Sequence, residues 1–222
     1  EHHFGTPSLS PEEAEPLLRR SATLLFDSRP AEEFRVMTIP GARNLPGGEL
    51  ALRAPSLLAA PDQPIVVHCA GRTRSILGAE SLRRLGLPNP VFALRNGTMG
   101  WELSGRACER GRTDGFDPAR LPPSLQARAA AERFAAARGV RVIGRAEAEA
   151  ILADDSRPRF LLDVRDPAEF RAGHWPGAVN APGGQLVQAT DRWVAVRHAT
   201  LILLDDAAYG RADGVRARMA GG

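Results

Sequence analysis

Short apolar runs alternate along the chain with segments of helical spacing. The first half carries such runs at 24–27, 64–67 and 91–94. Between the last two, ILGAESLRRLG at 76–86 places its apolar residues on one face of a helix. Strands that alternate with helices predict a parallel sheet covered by helices on both faces, and therefore an α/β fold.

The same order of elements occurs twice. LLFDSRPAEEF at 24–34 is similar to LLDVRDPAEF at 161–170, and IPGARNLPGGEL at 39–50 is similar to WPGAVNAPGGQL at 175–186. Identical residues keep one ungapped offset of 136 positions (163 − 27 = 136). The pairs are Asp27 and Asp163, Arg29 and Arg165, Phe34 and Phe170, Pro40 and Pro176, Asn44 and Asn180, and Gly48 and Gly184. A repeat longer than any solenoid unit indicates two copies of one domain.

Each copy predicts a strand ending in Asp-x-Arg, a short helix with Glu-Phe, two Pro-Gly turns and a second strand, at 65–68 and 201–204. SPEE at 10–13 opens copy one as a capping box with proline at the first helical position. Copy one continues through 91–105, a further strand and helix. Copy two ends soon after its second strand, so we expect a second domain that is incomplete at its C-terminus.

The segment between the copies predicts a connection rather than a third domain. GRTDGFDPARLPPS at 111–124 is rich in Gly, Pro and Asp, which favours a linker. LQARAAAERFAAARG at 125–139 predicts a connecting helix that stops at its final glycine. The predicted organisation is a first domain at 10–110, a linker and connecting helix at 111–138, and a second domain at 139–222.

Composition narrows the classes of function. The chain has 222 residues, of which 43% are hydrophobic, enough for two small domains with a core. Its net charge is +3 with arginine as the only strongly basic residue, but no long basic run or interleaved aromatics indicate nucleic-acid binding. Two cysteines are too few for a disulfide scaffold or a zinc site. No apolar run approaches the ~20 residues of a membrane span, and no signal-peptide pattern is present. We expect a cytoplasmic protein that binds neither nucleic acid nor membrane.

The candidate chemistry lies in HCAGRTRS at 68–75, between an apolar run and a helical segment. A turn from strand to helix points N–H groups and the positive end of the helix dipole into the turn, which favours a thiolate there. Arg72 and Arg74 can attract and orient an anion, and Gly71 permits a tight loop. The pattern predicts Cys69 as an exposed nucleophile in a cationic cradle lined by N–H groups. The alternative is a buried structural cysteine.

Loop length separates sulfur chemistry from phosphate chemistry. Cysteine phosphatases place five residues between Cys and Arg, usually followed by Ser or Thr. Here four residues, Ala70 to Thr73, separate Cys69 from Arg74, and Ser75 follows. A smaller ring of N–H groups suits one terminal sulfur better than a tetrahedral phosphate, whose oxygens each need donors. The loop therefore favours sulfur transfer over a cysteine phosphatase or an arsenate reductase.

These motifs resemble those of the rhodanese (thiosulfate sulfurtransferase) family. DSR, EF and IPGA within 27–42 resemble its first signature, HCAGRTR at 68–74 its active-site loop, and LRNGTMGW at 94–101 its closing motif. Copy two carries the first signature at 163–184. The arrangement is similar to that of bacterial proteins with several rhodanese domains in one chain. The resemblance implies two rhodanese-like domains, each a parallel sheet flanked by helices, in a tandem fragment of such a protein.

The resemblance implies that Cys69 is the sulfur acceptor. Its thiolate would attack a donor such as thiosulfate, giving a persulfide and sulfite, and a thiophilic acceptor, cyanide in an assay, would take the sulfur. The implied substrate-binding residues, whose backbone N–H groups stabilise the persulfide, are Ala70, Gly71, Arg72, Thr73, Arg74 and Ser75. The implied partners are a small-molecule sulfur donor and a thiophilic acceptor, which can be a protein; no metal or organic cofactor is implied. The alternative is a non-catalytic persulfide carrier, sensor or binding module.

Copy two lacks the nucleophile. The ungapped offset places Asp205 opposite Cys69, and a slip of one residue places Asp206 there and Arg211 opposite Arg74. A carboxylate cannot accept sulfur and repels an anionic donor. We expect a catalytically silent second domain that packs against the first, shapes its site or binds a partner.

The remaining polar candidates are interpreted as structural. Asp27 and Arg29 predict an internal ion pair at a strand end. His68 is expected to orient the loop backbone rather than to act as a base. The family often has a histidine before the Pro-Gly-Ala turn, which copy two keeps as His174 and copy one lacks. Because His174 is an isolated histidine without ligand partners, it is interpreted as structural. Cys108 is a weaker candidate for the role of a resolving cysteine. In that role it would need to lie within disulfide reach of Cys69.

Overall fold

The computed structural model describes residues 5–20, 22–122 and 124–205, together with the backbone of 217–220. Its contacts divide into two compact units, Glu1–Ala131 and Glu132–Gly222. Each unit is built on one five-stranded sheet. The domain limits expected from the sequence, 10–110 and 139–222, stay a prediction.

The first unit is a parallel sheet flanked by helices. Its strands are β1 (Ser8–Leu9), β2 (Leu24–Asp27), β3 (Arg43–Asn44), β4 (Ile65–His68) and β5 (Val91–Leu94). Its helices are α1 (Pro11–Leu18), α2 (Ala31–Val36), α3 (Gly48–Arg53), α4 (Thr73–Arg84) and α5 (Gly97–Leu103), with one 3₁₀ turn at Ala54–Leu57. The strands lie in the order β1-β5-β4-β2-β3 and pair in parallel, as predicted.

Alternation along the strands divides the core between the two faces of this sheet. Leu24 and Phe26 of β2 pack in one apolar cluster, while Leu25 packs in the other. Successive side chains of a strand point to opposite faces, so the two clusters lie on opposite sides of the sheet. All three apolar residues of β4, Ile65 to Val67, are fully buried. This is the pattern of a central strand in a sheet covered on both faces.

The predicted capping box at the start of α1 is confirmed. The Ser10 side chain accepts the N–H of Glu13 at 3.2 Å, and the Glu13 carboxylate accepts the N–H of Ser10 at 2.7 Å. Pro11 occupies the first helical position, where its missing N–H costs nothing. The helix therefore begins where the sequence pattern placed it.

The second unit repeats this plan with one departure. Its strands are β6 (Arg141–Ile143), β7 (Arg159–Asp163), β8 (Val179–Asn180), β9 (Thr200–Leu204) and β10 (Ala217–Ala220). Its helices are α7 (Arg145–Ala153), α8 (Pro167–Ala172) and α9 (Gly183–Gln188), with a 3₁₀ turn at Thr190–Arg192. The order is β6-β10-β9-β7-β8. β7 pairs in parallel with β8 and β9, whereas β10 is antiparallel to β6 and β9.

The connecting helix α6 (Leu125–Ala137) is present where it was predicted, and Gly139 follows it with a φ of +69°. Such a glycine ends helices commonly, because it adopts the left-handed conformation without a steric penalty. No helix within the described ranges is both long and apolar enough to cross a membrane.

The repeat extends to matching hydrogen bonds. Arg29 donates from Nε to Oδ1 of Asp27 at 2.9 Å and from Nη2 to Oδ2 at 2.6 Å. Arg165 makes the same two bonds to Asp163 at the same distances. In each copy the asparagine of the Asn-x-Pro-Gly-Gly turn donates to the backbone carbonyls of both residues of the pair. The predicted internal ion pair is thus confirmed, and it closes the end of a strand in both copies.

Residues 111–124 contain no helix or strand among those described, but they pack closely against the first unit. The N–H of Phe116 donates to Oδ1 of Asn44 at 3.0 Å. Arg53, which is 2% exposed, donates to the carbonyl of Leu121 and stacks over the Phe116 ring at 5.1 Å. The predicted linker is therefore held along the first unit rather than extended into solvent.

Candidate active site

The loop of interest lies at the carboxyl ends of two neighbouring parallel strands. β4 ends at His68, α4 begins at Thr73, and the residues between them form the turn. Register pairs His68 with Asp27, the last residue of β2. Crevices at this edge of an open parallel sheet are the usual place for ligand sites in α/β folds. Cys69 is thus the first residue beyond the sheet, beside a buried carboxylate.

Cys69 is buried, with only 2% of its surface exposed, so its predicted exposure is wrong, while its role as a nucleophile stays a prediction. The start of α5 covers the loop. The Cys69 carbonyl accepts the N–H of Thr98 at 2.8 Å, and the Ala70 carbonyl accepts the N–H of Met99 at 3.1 Å. Gly97 permits this approach, since a Cβ there would lie 2.0 Å from the Cys69 oxygen. Sequence reasoning missed Gly97, although an Asn-Gly pair is a recognised signal for a turn with positive φ.

The bonds from α5 engage the carbonyls of Cys69 and Ala70 but none of the loop N–H groups. Five of these donors have no hydrogen-bond acceptor among the residues that the structure describes: the backbone N–H groups of Ala70, Gly71, Thr73, Arg74 and Ser75. The carbonyl of Arg72 accepts the Ser75 hydroxyl at 2.8 Å and the N–H of Ile76 at 3.2 Å. Unpaired donors ahead of and within the first turn of a helix are suited to an anion or to a thiolate sulfur.

Arg74 is already bound to a carboxylate. Its Nη1 and Nη2 donate to the two oxygens of Glu33, on α2, at 2.6 and 2.8 Å. Burial disfavours the charged guanidinium, but the hydrogen bonds and charge of Glu33, with smaller contributions from Cys69 and Asp27, raise the pKa of Arg74 above its ordinary value. The predicted role of Arg74 in orienting an anion therefore has to take account of Glu33, which the sequence reasoning did not identify. Arg72 is exposed.

A neutral histidine lies beneath the loop. His68 is fully buried, with Nδ1 3.5 Å from the Cys69 carbonyl and Nε2 3.7 Å from Oδ2 of Asp27. Burial lowers the pKa of His68 below its ordinary value although Asp27 opposes this, so the imidazole is neutral at pH 7. Burial raises the pKa of Asp27, but the neighbouring His68, the Arg29 guanidinium and the Thr38 hydroxyl together hold it below its usual range.

The pH dependence of folding tests this arrangement. The unfolded chain takes up a proton at His68 below about pH 6.5 that the folded chain does not, so stability falls as pH drops through that value. Position 204 of copy two, at the same offset, is a fully buried leucine. His68→Leu is expected to remove this loss, measured as the urea-unfolding free energy between about pH 8 and pH 5. Protonation of Asp27 changes the free energy of unfolding only near and below about pH 4, outside the range measured. Equal pH dependence of His68→Leu and the parent chain would contradict a neutral, proton-excluding His68.

The comparisons with known proteins agree with this geometry. The family model described as "Rhodanese-like domain" matches residues 10–104 and 145–220, more than half of the chain. This chain belongs to the rhodanese-like domain family. The predicted tandem of two rhodanese-like segments is confirmed by the two matched regions.

Two relatives are similar to this chain over part of their own length. The thiosulfate sulfurtransferase from Pseudomonas aeruginosa is similar in structure, with a TM-score of 0.84 and 44% identity over 98% of this chain and 40% of that chain. The HTH-type transcriptional regulator Rv0324 of Mycobacterium tuberculosis is 34% identical over 111 residues, 49% of this chain and 48% of that protein. The matched part of the chain therefore covers less than half the length of each relative.

The second rhodanese-like copy retains the scaffold but not the groups around the cysteine. Asp205 occupies the position of Cys69 at the repeat offset, directly after β9. Val164 stands where copy one has Ser28, whose hydroxyl donates to the His68 carbonyl at 3.0 Å. The alternative alignment relies on Asp206 and Arg211, which lie outside the described residues.

His174 makes the contacts of a structural residue. Its ring stacks on Phe170 with centroids 3.9 Å apart, and Nδ1 lies 3.0 Å from the Phe170 carbonyl. Both contacts fix the end of α8 before the Pro-Gly-Ala turn. This agrees with the interpretation of His174 as structural.

The two cysteines of this rhodanese-like chain occupy different environments. Both are free thiols. Cys108 is half-buried against the apolar cluster that contains Trp101. Burial and the Glu102 carboxylate raise the pKa of the Cys108 thiol above its ordinary value. A group of three or more His, Cys, Asp or Glu side chains able to hold a metal ion is absent from the described part of the chain. A resolving role for Cys108 stays a prediction.

Proposed function

We propose that this chain is a sulfurtransferase that moves sulfane sulfur from an anionic donor such as thiosulfate to a thiophilic acceptor through a Cys69 persulfide. The observation that carries the proposal is the loop from Cys69 to Ser75: the carbonyls of Cys69 and Ala70 accept N–H groups of α5, while five loop N–H groups have no acceptor among the described residues. Membership in the rhodanese-like family and 44% identity to a thiosulfate sulfurtransferase support it.

The reaction proceeds in two displacements. The Cys69 thiolate attacks the terminal sulfur of thiosulfate, a new sulfur–sulfur bond forms, and the donor's sulfur–sulfur bond breaks with its electron pair leaving on sulfite. The loop N–H groups stabilise the negative charge on the persulfide. A nucleophilic acceptor, cyanide or a thiolate, then attacks the terminal sulfur, and Cys69 leaves as the thiolate. The cycle restores the enzyme without a net redox change, as in ping-pong covalent catalysis.

Two features support sulfur transfer over phosphate chemistry. Four residues separate Cys69 from Arg74, one fewer than in the cysteine phosphatases. Both outer nitrogens of the Arg74 guanidinium donate to Glu33. This guanidinium is therefore occupied by a carboxylate, whereas in a phosphatase it would bind the substrate phosphate. Hydrolysis of an aryl phosphate faster than sulfur transfer from thiosulfate would reverse this preference.

Intact-protein mass spectrometry tests the first displacement. After incubation with thiosulfate and removal of excess donor, we expect the protein to gain the mass of one sulfur atom, located on the peptide that contains Cys69. Addition of cyanide should return the original mass and release thiocyanate. A persulfide on Cys108 alone, or none at all, would contradict the proposal.

A second candidate is a non-catalytic persulfide carrier or sensor. The similarity to a protein named as a transcriptional regulator favours it, because regulators need a response to sulfur rather than turnover. The 2% exposure of Cys69 is also compatible with slow exchange. Under this alternative the persulfide forms once and cyanide turnover stays at the uncatalysed rate, whereas repeated turnover favours the enzyme.

We further propose that the second copy is catalytically silent. Asp205 carries a negative charge at the position of the nucleophile and provides no sulfur to hold. Residues 139–222 contain no cysteine, so this copy has no side chain on which a persulfide can form.

A further inference from the structure

The glutamate at equivalent positions of the two copies makes different hydrogen bonds in each copy. Glu33 and Glu169 occupy equivalent positions at the offset of 136 residues, each in the first turn of its helix. In copy two, Glu169 accepts the N–H of Asp166 at 3.1 Å and completes a capping box. In copy one, Glu33 instead binds Arg74, 41 residues away, through both carboxylate oxygens.

The residue before the helix explains the difference. The position of Asp166 is occupied in copy one by Pro30, which begins α2 as its N-cap. Proline has no backbone N–H, so it cannot make the reciprocal bond of a capping box. The carboxylate of Glu33 is thereby left available for a partner outside its own helix. Phe34, the next residue, is fully buried and anchors α2.

The pair involves the first turn of α4, the helix that follows the loop of Cys69. Arg74 is one of the residues that family resemblance assigns to substrate binding, and its side chain is 10% exposed. Burial opposes the charged form of Arg74, while Glu33 and, to a smaller extent, Cys69 raise the pKa of its guanidinium. Two parallel hydrogen bonds between a guanidinium and a carboxylate form a nearly neutral unit of fixed orientation.

We propose that Glu33 is a specificity-determining residue that acts through Arg74 by neutralising the charge of this guanidinium beside the sulfur-binding loop. The inference rests on the proposed function for its biological meaning. Anion binding then depends mainly on the backbone N–H groups, which suit a terminal sulfur. A free guanidinium at this position would favour oxyanions such as phosphate, which bind Arg in bidentate geometry. Glu33 thus selects against phosphate in a loop that closely resembles a phosphatase loop.

The ratio of two alkylation rates at Cys69 measures the charge of the loop. Iodoacetate is an anion and iodoacetamide is neutral, so the ratio of their rates cancels changes in the amount of thiolate. Glu33→Gln removes one negative charge and is expected to raise the iodoacetate:iodoacetamide ratio by roughly threefold to tenfold at low salt. Arg74→Gln should lower the ratio, and the double variant should return it towards the parent value. Inorganic phosphate should protect Cys69 of Glu33→Gln from iodoacetamide better than it protects the parent.

Glu32→Gln is the matched control, since Glu32 is an exposed neighbour on the same helix. Its ratio should change by less than about twofold. A merely structural role for Glu33 would slow or speed both reagents equally and leave the ratio unchanged, and that result overturns the proposal. So does a rise in Glu32→Gln as large as in Glu33→Gln, or equal phosphate protection in Glu33→Gln and the parent.

The test remains decisive if Glu33→Gln fails to fold, as judged by circular dichroism. Arg74→Gln alone must then lower the ratio, and an unchanged or raised ratio refutes the inference. Alkylation requires only a reactive Cys69 and no sulfur transfer. A parent chain that never forms a persulfide therefore contradicts the proposed function, while the charge ratios still decide the role of Glu33.

Discussion

Cys69→Ser is expected to reduce thiosulfate:cyanide sulfurtransferase activity by more than about a thousandfold, the scale seen when a catalytic nucleophile is removed. A hydroxyl at this position is not ionised near neutral pH and forms no persulfide, whereas the nucleophile required is a thiolate. The loop N–H groups do not depend on the sulfur atom, so thiosulfate should still bind. Thiocyanate formation measures the turnover, and mass spectrometry checks that no sulfur is added.

Cys108→Ser is the matched control for this change. Burial and Glu102 raise the pKa of Cys108, so its thiol is a poor nucleophile at neutral pH. Cys108 packs against the cluster of Trp101 and makes no disulfide. The variant should keep most of its activity after its fold is verified by circular dichroism. Retained activity in Cys69→Ser, or lost activity in a folded Cys108→Ser, would contradict the assignment of the nucleophile.

The elements that carry the chemistry could be predicted because their signals are local. An apolar run followed by HCAGRTRS and a helical pattern placed Cys69 at the end of β4, where the structure has it. The repeat offset placed Asp27 with Arg29 and Asp163 with Arg165 in equivalent ion pairs, and their hydrogen bonds agree. Each of these features depends on residues a few positions apart, which periodicity and motif spacing describe directly.

The environment of the cysteine depends on contacts between distant parts of the chain. Arg74 meets Glu33 across 41 residues, and the Cys69 carbonyl meets Thr98 from a helix that follows the next strand. Periodicity identifies which face of an element is apolar but does not specify which polar side chains meet at a sheet edge. The charge balance and the burial of Cys69 therefore became visible only in three dimensions.

The last strand shows where the repeat stops being informative. The offset of 136 places 217–220 opposite 81–84, which belong to α4 in copy one. In copy two these positions form β10, antiparallel to both of its neighbours. The dense run of identities at this offset ends at Leu50 and Leu186, and positions 81–84 and 217–220 share no residue, so no sequence signal transferred the helix. Homology between the copies predicts structure only where matching residues make matching contacts.

Gly97→Ala is expected to lower the free energy of unfolding by about 3 kcal/mol or more and to slow sulfur transfer strongly. The added Cβ would lie 2.0 Å from the oxygen and 2.7 Å from the carbonyl carbon of Cys69, and both are backbone atoms that cannot turn aside. Gly97 also has a φ of +51°, which costs a non-glycine residue about 1–2 kcal/mol. Relief of the clash must move α5 off the loop and break the bonds from Thr98 and Met99. Urea unfolding measures the first effect and thiocyanate formation the second.

Gly105→Ala separates the clash from the backbone strain. Gly105 follows the same helix with a φ of +82°, but a Cβ there meets nothing within 4 Å. Its substitution should therefore cost only the strain, about 1–2 kcal/mol, and leave sulfur transfer nearly unchanged. The difference between the two variants isolates the close approach of α5 to Cys69. If Gly97→Ala costs no more stability than Gly105→Ala and turns over at the parent rate, α5 does not hold the loop, and the N–H groups around Cys69 must be positioned by other contacts.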